Sequence, residues 1–113
     1  MATLSTHILD TSIGFPAQGV SVQCHKLTET GWQLIGEGVT DDDGRVTGLS
    51  GDEPLLEGAV YRLSFGVDTY FKSQGKPCFY PKVEVQFLVG GDRSHYHVPL
   101  LLNPFGYSTY RGS

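Results

Sequence analysis

Glycine and proline interrupt this chain at short intervals, and that spacing limits the folds it can adopt. The 113 residues include 15 glycines and six prolines, far more than the helices of a bundle would tolerate. The stretches between them are rich in Val, Leu, Tyr, Phe and Thr, which favour strands. Short strands separated by frequent turn residues are typical of a β-sandwich. We therefore predict an all-β fold.

Several stretches alternate apolar and polar residues with the period of two expected of half-buried strands. Val83, Val85 and Phe87, for example, share one face of a predicted strand, with mostly polar neighbours on the other. About eight strands are predicted, at residues 4–9, 20–27, 32–40, 45–47, 60–67, 82–89, 94–102 and 105–110. Residues 10–18 are predicted to form a loop.

A single short helix is predicted between the fifth and sixth strands. Asp68 or Thr69 can cap its N-terminus, and residues 70–74 can form its body. Gly75 can end it, and Pro77 prevents its continuation.

The length and composition indicate one soluble globular domain spanning residues 1–113. At 113 residues and 12.3 kDa the chain is long enough for only one domain, which excludes a multidomain enzyme. Its 39% hydrophobic and 18% charged residues are typical of a soluble globular protein. A chain of this mass buries about two-thirds of its surface on folding, enough for one modest core. It is too small to enclose a deep pocket, so an active site would be shallow or shared between subunits.

Charge and hydropathy narrow the range of partners. The net charge is −4 and the pI about 5.4, and the chain has no basic run, which argues against nucleic acid and anionic membranes. No apolar stretch approaches the ~18 residues of a membrane span. The first ten residues do not resemble a signal peptide, and the last residues are not a peroxisomal Ser-Lys-Leu address. We expect a cytoplasmic protein.

Two other features carry little chemistry of their own. Cys24 and Cys78 form no CxxC or CxC motif, so free thiols are expected, with a single disulfide as the alternative. The three aspartates 41–43 precede Gly44 and predict a tight turn. They lack the spacing and the closing Glu of an EF-hand calcium loop, so no calcium site is predicted.

The four histidines are the most informative candidates for function. His95 and His97 are two residues apart in a predicted strand, so they share a face, opposite the apolar side chains of Tyr96, Val98 and Leu100. Those apolar residues should form core, which turns both histidines outward, toward solvent or another subunit. His7 lies in the first strand, and periodicity alone does not establish whether it approaches His97.

Other catalytic chemistries find little support. His95 and His97 lack a third ligand with suitable spacing for zinc. There is no Gly-x-Ser-x-Gly elbow, and neither cysteine has the context of a nucleophile. What remains is a histidine acting as general base or acid, with an arginine stabilising developing charge.

Three segments of the sequence resemble the transthyretin-like family. They are the stretch LSTHILDT with the following GFPA, within residues 4–17; TDDDGR, at residues 40–45; and HYHVPLLLNPFGYSTYRGS, at residues 95–113. The last resembles in particular the 5-hydroxyisourate hydrolase branch, and its terminal YRGS is the most specific piece. Asn103 stands where many members have Ser. The resemblance covers essentially the whole chain.

The resemblance implies both an architecture and a set of site residues. The implied fold is a sandwich of two four-stranded antiparallel sheets with one short helix, assembled as a homotetramer (a dimer of dimers) with active sites in a central channel. Catalytic roles are implied for His7, Arg45 and His97. Substrate-binding roles are implied for Tyr110, Arg111, Gly112 and Ser113.

The implied reaction is the hydrolysis of 5-hydroxyisourate to 2-oxo-4-hydroxy-4-carboxy-5-ureidoimidazoline in urate catabolism. His7 and His97 would activate a water molecule, and Arg45 would stabilise the oxyanion, with no metal or organic cofactor. Two other readings stay open. One is a non-catalytic small-molecule carrier of the transthyretin type, and the other is a metal-binding sandwich that uses His95 and His97.

Overall fold

The alternating stretches form two sheets that pack face to face, with one helix, in a computed structural model that describes residues 2–113. Met1, which the sequence analysis assigns to the same domain, lies outside the described residues. Within the described part of the chain the elements are β1 (Thr3–Asp10), β2 (Phe15–Pro16), β3 (Ser21–Thr28), β4 (Gly31–Val39), β5 (Arg45–Val46), β6 (Val60–Gly66), α1 (Val67–Lys72), β7 (Val83–Leu88), β8 (His95–Asn103) and β9 (Gly106–Thr109).

The two-sheet sandwich predicted from the sequence is confirmed, with two differences in detail. One sheet has the order β4-β3-β6-β7 and is antiparallel throughout. The other has the order β2-β1-β8-β9, with β5 also paired to β1, so it contains five strands rather than four. Its central pair, β1 and β8, is parallel. Parallel pairing needs a long connection. Here all four strands of the β4-β3-β6-β7 sheet lie between β1 and β8 in sequence.

The core lies between the inward faces of the two sheets. Leu4 and Ile8 of β1, Leu63 and Phe65 of β6, and Leu100 of β8 are all fully buried. Each belongs to the apolar set of its strand, as the period of two predicted. The polar residues between them therefore lie on the outer faces of the sheets.

Two local elements differ from the sequence prediction. The predicted loop at residues 10–18 contains β2, where Phe15 pairs with Asp10. The helix begins at Val67 and ends at Lys72, earlier than the predicted 70–74. Its start is set by packing, because Val67, Tyr70 and Phe71 are buried against the core, and no side chain caps its N-terminus. Gly75 adopts a left-handed conformation with φ of 68° just beyond the helix.

The expectation of free thiols is confirmed. Cys24 and Cys78 are both free, and burial raises the pKa of the Cys24 thiol to about 12. Among residues 2–113, no helix has the length and apolar character needed to cross a membrane.

Candidate functional site

The candidate site is the outward surface of the five-stranded sheet, and we call its ionisable part the histidine face. It consists of Ser5 and His7 on β1, Arg45 on β5, and His95 and His97 on β8. These residues share the face because the strand registers place each at a matching position. The sandwich therefore brings together the three side chains that the resemblance marked as catalytic.

His7 and Arg45 lie directly opposite each other in the β1–β5 pair, so their Cβ atoms are expected about 4.5–5.5 Å apart. The turn before β5 fixes this position. A carboxylate oxygen of Asp41 accepts hydrogen bonds from the backbone N–H groups of Asp43 and Arg45, at 2.9 and 3.0 Å. Gly44 supplies the positive φ of 73° that this turn requires. The acidic turn thus orients an exposed arginine beside a half-buried histidine.

His97 is a diagonal neighbour of His7, because Ser5 pairs with His97 and His7 with Pro99. Ordinary strand spacing puts the Cα atoms of His7 and His97 about 8 Å apart, a distance at which diagonal side chains on one face can approach each other. Burial lowers the pKa of the half-buried His97, and the nearby positive charges of Arg45, His7 and His95 lower it further. The imidazole of His97 is therefore neutral at neutral pH, as a general base must be.

A row of hydrogen bonds runs across the histidine face beside His97. The Ser5 hydroxyl lies 2.9 Å from Nδ1 of His97 and 2.8 Å from Nε2 of His95. The other ring nitrogen of His95 lies 2.5 Å from the Thr3 hydroxyl. Both ring nitrogens of His95 are thus engaged by hydroxyl groups.

The C-terminal segment lies across His97 in continuation of β9. The β8–β9 register pairs Leu100 with Thr109, and the bridge between His97 and Gly112 keeps the same register. The ladder is interrupted between them because Pro99 has no N–H, and its carbonyl accepts the Thr109 hydroxyl at 2.7 Å. The Gly112 N–H donates to the His97 carbonyl at 2.9 Å. A methyl group at Gly112 would lie 2.6 Å from Cδ2 of His97, so only glycine fits this close approach.

Arg111 lies on the other side of this segment and anchors it. Its guanidinium donates to Asp92 at 2.9 Å and lies over the ring of Tyr96, 5.2 Å from the ring centroid. The Tyr96 hydroxyl donates to the same oxygen of Asp92. These two donors, Arg111 first, hold the pKa of the Asp92 carboxyl at about 2. Arg111 therefore fixes the segment rather than facing His97.

The remaining two residues of the segment are exposed. Tyr110 lies opposite Pro99 in the register and borders a cleft of about 220 Å³ between β7 and the start of β8, where His97 also lines it. Ser113 borders a shallower depression beside His95. The binding roles of Tyr110, Arg111, Gly112 and Ser113, like the catalytic roles, stay predictions.

The described residues offer little support for a metal ion. Only Asp41, Asp42 and Asp43 bring three potential ligand atoms within 4.8 Å in residues 2–113, and all three are exposed. The turn itself uses a carboxylate oxygen of Asp41. His95 and His97 direct three of their four ring nitrogens to hydroxyl groups.

Sequence reasoning did not select Thr3, Ser5 or Asp92. For Ser5 a signal existed, because it is two residues from His7 and so shares its face. The contacts of Thr3 and Ser5 depend on the β1–β8 pairing across more than 90 residues, which the periodicity of either strand does not reveal.

A two-sheet sandwich with one short helix, carrying two histidines and an arginine on an outer sheet face, defines a transthyretin-type fold with an ionisable surface. A family model described as "HIUase/Transthyretin family" matches residues 4–112. The chain belongs to this family.

Individual relatives include both hydrolases and a transthyretin. A probable 5-hydroxyisourate hydrolase of Caenorhabditis elegans is 46% identical, over 99% of this chain and 82% of its own. The structure of Klebsiella pneumoniae 5-hydroxyisourate hydrolase superposes with a TM-score of 0.86, at 34% identity and full coverage of both chains. Sea bream transthyretin in complex with thyroxine superposes with a TM-score of 0.87, also at 34% identity, over 96% of this chain and 93% of its own.

Proposed function

We propose that this chain is an enzyme that hydrolyses 5-hydroxyisourate to 2-oxo-4-hydroxy-4-carboxy-5-ureidoimidazoline in urate catabolism. The observation that carries the proposal is the register of β1 with β5 and β8, which places His7, Arg45 and His97 on one face. The relatives named as hydrolases of this substrate support the choice of reaction. In this proposal, residues 1–113 belong to one hydrolase domain that acts in the cytoplasm.

The reaction hydrolyses a cyclic amide: water adds to an acyl carbon, the carbon–nitrogen bond of the ring breaks, and the proton taken from water passes to the leaving nitrogen. It therefore needs an activated water molecule and a stabilised oxyanion. His97 is neutral at neutral pH because its pKa is lowered, so it can accept a proton from water. His7 lies across from it and helps to position that water. Arg45 offers several N–H donors in a rigid fork and holds the carbonyl oxygen as negative charge develops. These groups supply the needed chemistry without a metal or organic cofactor.

The C-terminal segment completes the site on one side. Gly112 keeps the backbone against His97, and the exposed Tyr110 and Ser113 are available to hydrogen-bond the planar substrate. In this proposal Arg111 contributes by holding the segment against Asp92.

We further propose that the active form is a homotetramer, a dimer of dimers. The histidine face is an open sheet surface on the single chain, so a substrate held there would remain in contact with water. Packing of a second copy against this surface would supply the missing wall and strengthen the electrostatic interactions within it.

A non-catalytic carrier is the second candidate, favoured by the fold shared with thyroxine-bound sea bream transthyretin. The histidine face argues against it, because a carrier of an apolar molecule would be expected to present apolar side chains there. Two imidazoles and a guanidinium instead suit proton transfer and charge stabilisation.

One assay separates the two candidates. 5-Hydroxyisourate is generated from urate with a urate oxidase, and its decay is followed by absorbance with and without the protein. We expect the protein to accelerate the decay, and to do so equally after treatment with a chelator. Decay at the spontaneous rate would reject the hydrolase, and activity lost on chelation would favour the metal-binding reading.

Single alanine variants test the site assignment. Loss of a general base typically costs about 10²- to 10⁴-fold in rate, and loss of an oxyanion donor about 10²- to 10³-fold. We expect effects of this size for His7→Ala, Arg45→Ala and His97→Ala, with the oligomer retained. His25→Ala is the matched control, since His25 lies on the other sheet. Full activity in all three site variants would overturn the assignment.

A further inference from the structure

Ser5 is placed to control which nitrogen of His97 carries the proton. Its hydroxyl is the group that contacts Nδ1 of His97, at 2.9 Å, and it is nearly buried, with 8% of its surface exposed. Among residues 2–113, Nε2 of His97 has no hydrogen-bond partner, so it is the nitrogen available to a water molecule or substrate. The tautomer of a histidine is set by the hydrogen bond of its other nitrogen.

The row of hydrogen bonds is directional, which links the tautomer of His97 to more distant groups. Each hydroxyl donates one hydrogen, and each neutral imidazole has one N–H. When the Ser5 hydroxyl donates within the row, the chain Thr3–His95–Ser5–His97 is satisfied in two ways, running in opposite directions. In one, Nε2 of His97 carries the proton, and in the other Nε2 is bare.

Arg45 distinguishes the two arrangements. Its guanidinium is a donor only and carries a permanent positive charge, and Arg45 lies on the same sheet face as His97, on the other side of β1. A bare Nε2 presents its lone pair to a site that contains this cation, whereas an N–H would present a second positive dipole. The favoured order has His97 Nδ1 donating to Ser5, Ser5 donating to His95 Nε2, and His95 Nδ1 donating to Thr3.

We infer that Ser5 is a positioning residue that holds His97 in the tautomer with a bare Nε2, and that His95 and Thr3 fix the direction of its hydroxyl. This inference rests on the proposed function, in which His97 accepts the proton of the attacking water. It gives His95 a defined role outside the reacting groups. It also predicts that removing one buried hydroxyl will impair the base without removing it.

The direct test is nitrogen NMR of histidine-labelled protein, which distinguishes the two tautomers of a neutral imidazole. We expect His97 of the unmodified protein to carry its proton on Nδ1 above its pKa, and to become a mixture of tautomers in Ser5→Ala. Ser5→Thr retains a hydroxyl and should restore the single tautomer. Ser21→Ala, an exposed serine on the other sheet, is the matched control.

Kinetics provide the second readout. Because a wrong histidine tautomer costs about 10⁴-fold in a serine protease and a misplaced group about 10²-fold, we expect Ser5→Ala to lower kcat by about 10- to 100-fold with little change in KM. His95→Gln and Thr3→Val, which act through Ser5, should have smaller effects of the same kind. Ser5→Thr should recover most of the lost rate.

The outcomes separate this inference from the proposed function. An unmodified protein that leaves the decay of 5-hydroxyisourate unchanged would reject the hydrolase, while the tautomer of His97 would still be measured. If the hydrolase is active but Ser5→Ala keeps both the Nδ1–H tautomer and kcat, Ser5 has no positioning role. A proton on Nε2 of His97 in the unmodified protein would overturn the inference as well.

Discussion

His97 combines three influences that act on one imidazole. It is half-buried, it is bonded through Nδ1 to Ser5, and it lies near the charges of other basic groups. Burial and positive neighbours both disfavour the imidazolium, so they lower the pKa in the same direction. The lowered pKa makes His97 a weaker base. It also keeps the imidazole unprotonated at neutral pH, where it can accept a proton.

This environment predicts where activity fails in acid. The pKa of a free histidine is ~6.5, and the lowered pKa moves the protonation of His97 to more acidic pH. We therefore expect kcat/KM to fall only when the pH drops below about 6.5, and the NMR titration of His97 to show the same midpoint. The groups that face or adjoin His97 are Ser5 and His7 on β1, Arg45 on β5, His95 on its own strand and Gly112 in the C-terminal segment.

Arg45→Gln supplies the comparison for this titration. Removing the guanidinium should raise the pKa of His97 toward its ordinary value, which NMR can measure even if the variant has little activity. Arg93→Gln removes an equal charge from a nearby loop. Arg93 is not among the charges that lower the pKa of His97, so this variant should leave the titration midpoint unchanged. A midpoint at or above that of free histidine in the unmodified protein would contradict this account.

At the scale of the elements, β1 organises the site. It pairs with β2 and β5 along one edge and with β8 along the other. His7 therefore has Arg45 on one side and the His97 strand on the other. The acidic turn before β5 fixes the position of Arg45. The segment after β9 places Gly112 against His97.

The sequence predicts the faces of these strands better than their partners. Alternation correctly separated His95 and His97 from the buried Tyr96 and Val98, because the period of two is a local property of the strand. The convergence of His7 with His97 came only from the family resemblance, since it depends on a parallel pairing between distant strands. β2, with two residues, is too short for any periodic pattern.

The C-terminal segment leads to a prediction about Gly112. A methyl group there would also lie 3.1 Å from Cγ of Pro99, so either the segment or the His97 ring must move in Gly112→Ala. A displacement of about 1 Å at a reacting group can cost about 10²-fold in rate. We expect a 10- to 100-fold loss of kcat/KM, with little change in thermal stability because the segment lies at a sheet edge.

Gly66→Ala is the control, since a methyl group there would meet only ordinary contacts, the nearest at 3.7 Å from Ser21. Asp92→Asn tests the other end of the segment, where it weakens the contact to Arg111 and should reduce activity without touching His97. Unchanged kinetics in Gly112→Ala would show that the segment does not set the position of His97.

On the scale of the whole molecule, the limit set by chain length explains where the site lies. The accessible surface is 6349 Å², close to the roughly 6,100 Å² expected for a folded chain of this mass. The buried apolar residues form a single core between the sheets. The ionisable residues of the candidate site lie on an outer face. In the proposed oligomer, a second copy of the chain would cover this face.

The unpaired edges of the two sheets indicate one way in which copies can associate. β7 and β9 are the last strands of their sheets, and β7 and the end of the chain border the same cleft. Exposed edges side by side can pair with those of another copy. The large apolar side chain of Leu88, at the end of β7, is 65% exposed.

We expect Leu88→Lys to weaken assembly and to lower activity per chain, because a charge at this edge opposes packing of an apolar neighbour and leaves the histidine face open to water. Val39→Lys is the matched control, since Val39 ends the edge strand on the opposite side of the same sheet and is 62% exposed.

Sedimentation measures the oligomeric state, and the decay assay at the same protein concentrations measures turnover. Activity per chain should fall in parallel with the tetramer fraction in Leu88→Lys, and also when the unmodified protein is diluted. A monomeric variant with full activity would show that one sheet face suffices for catalysis, and that assembly serves another purpose.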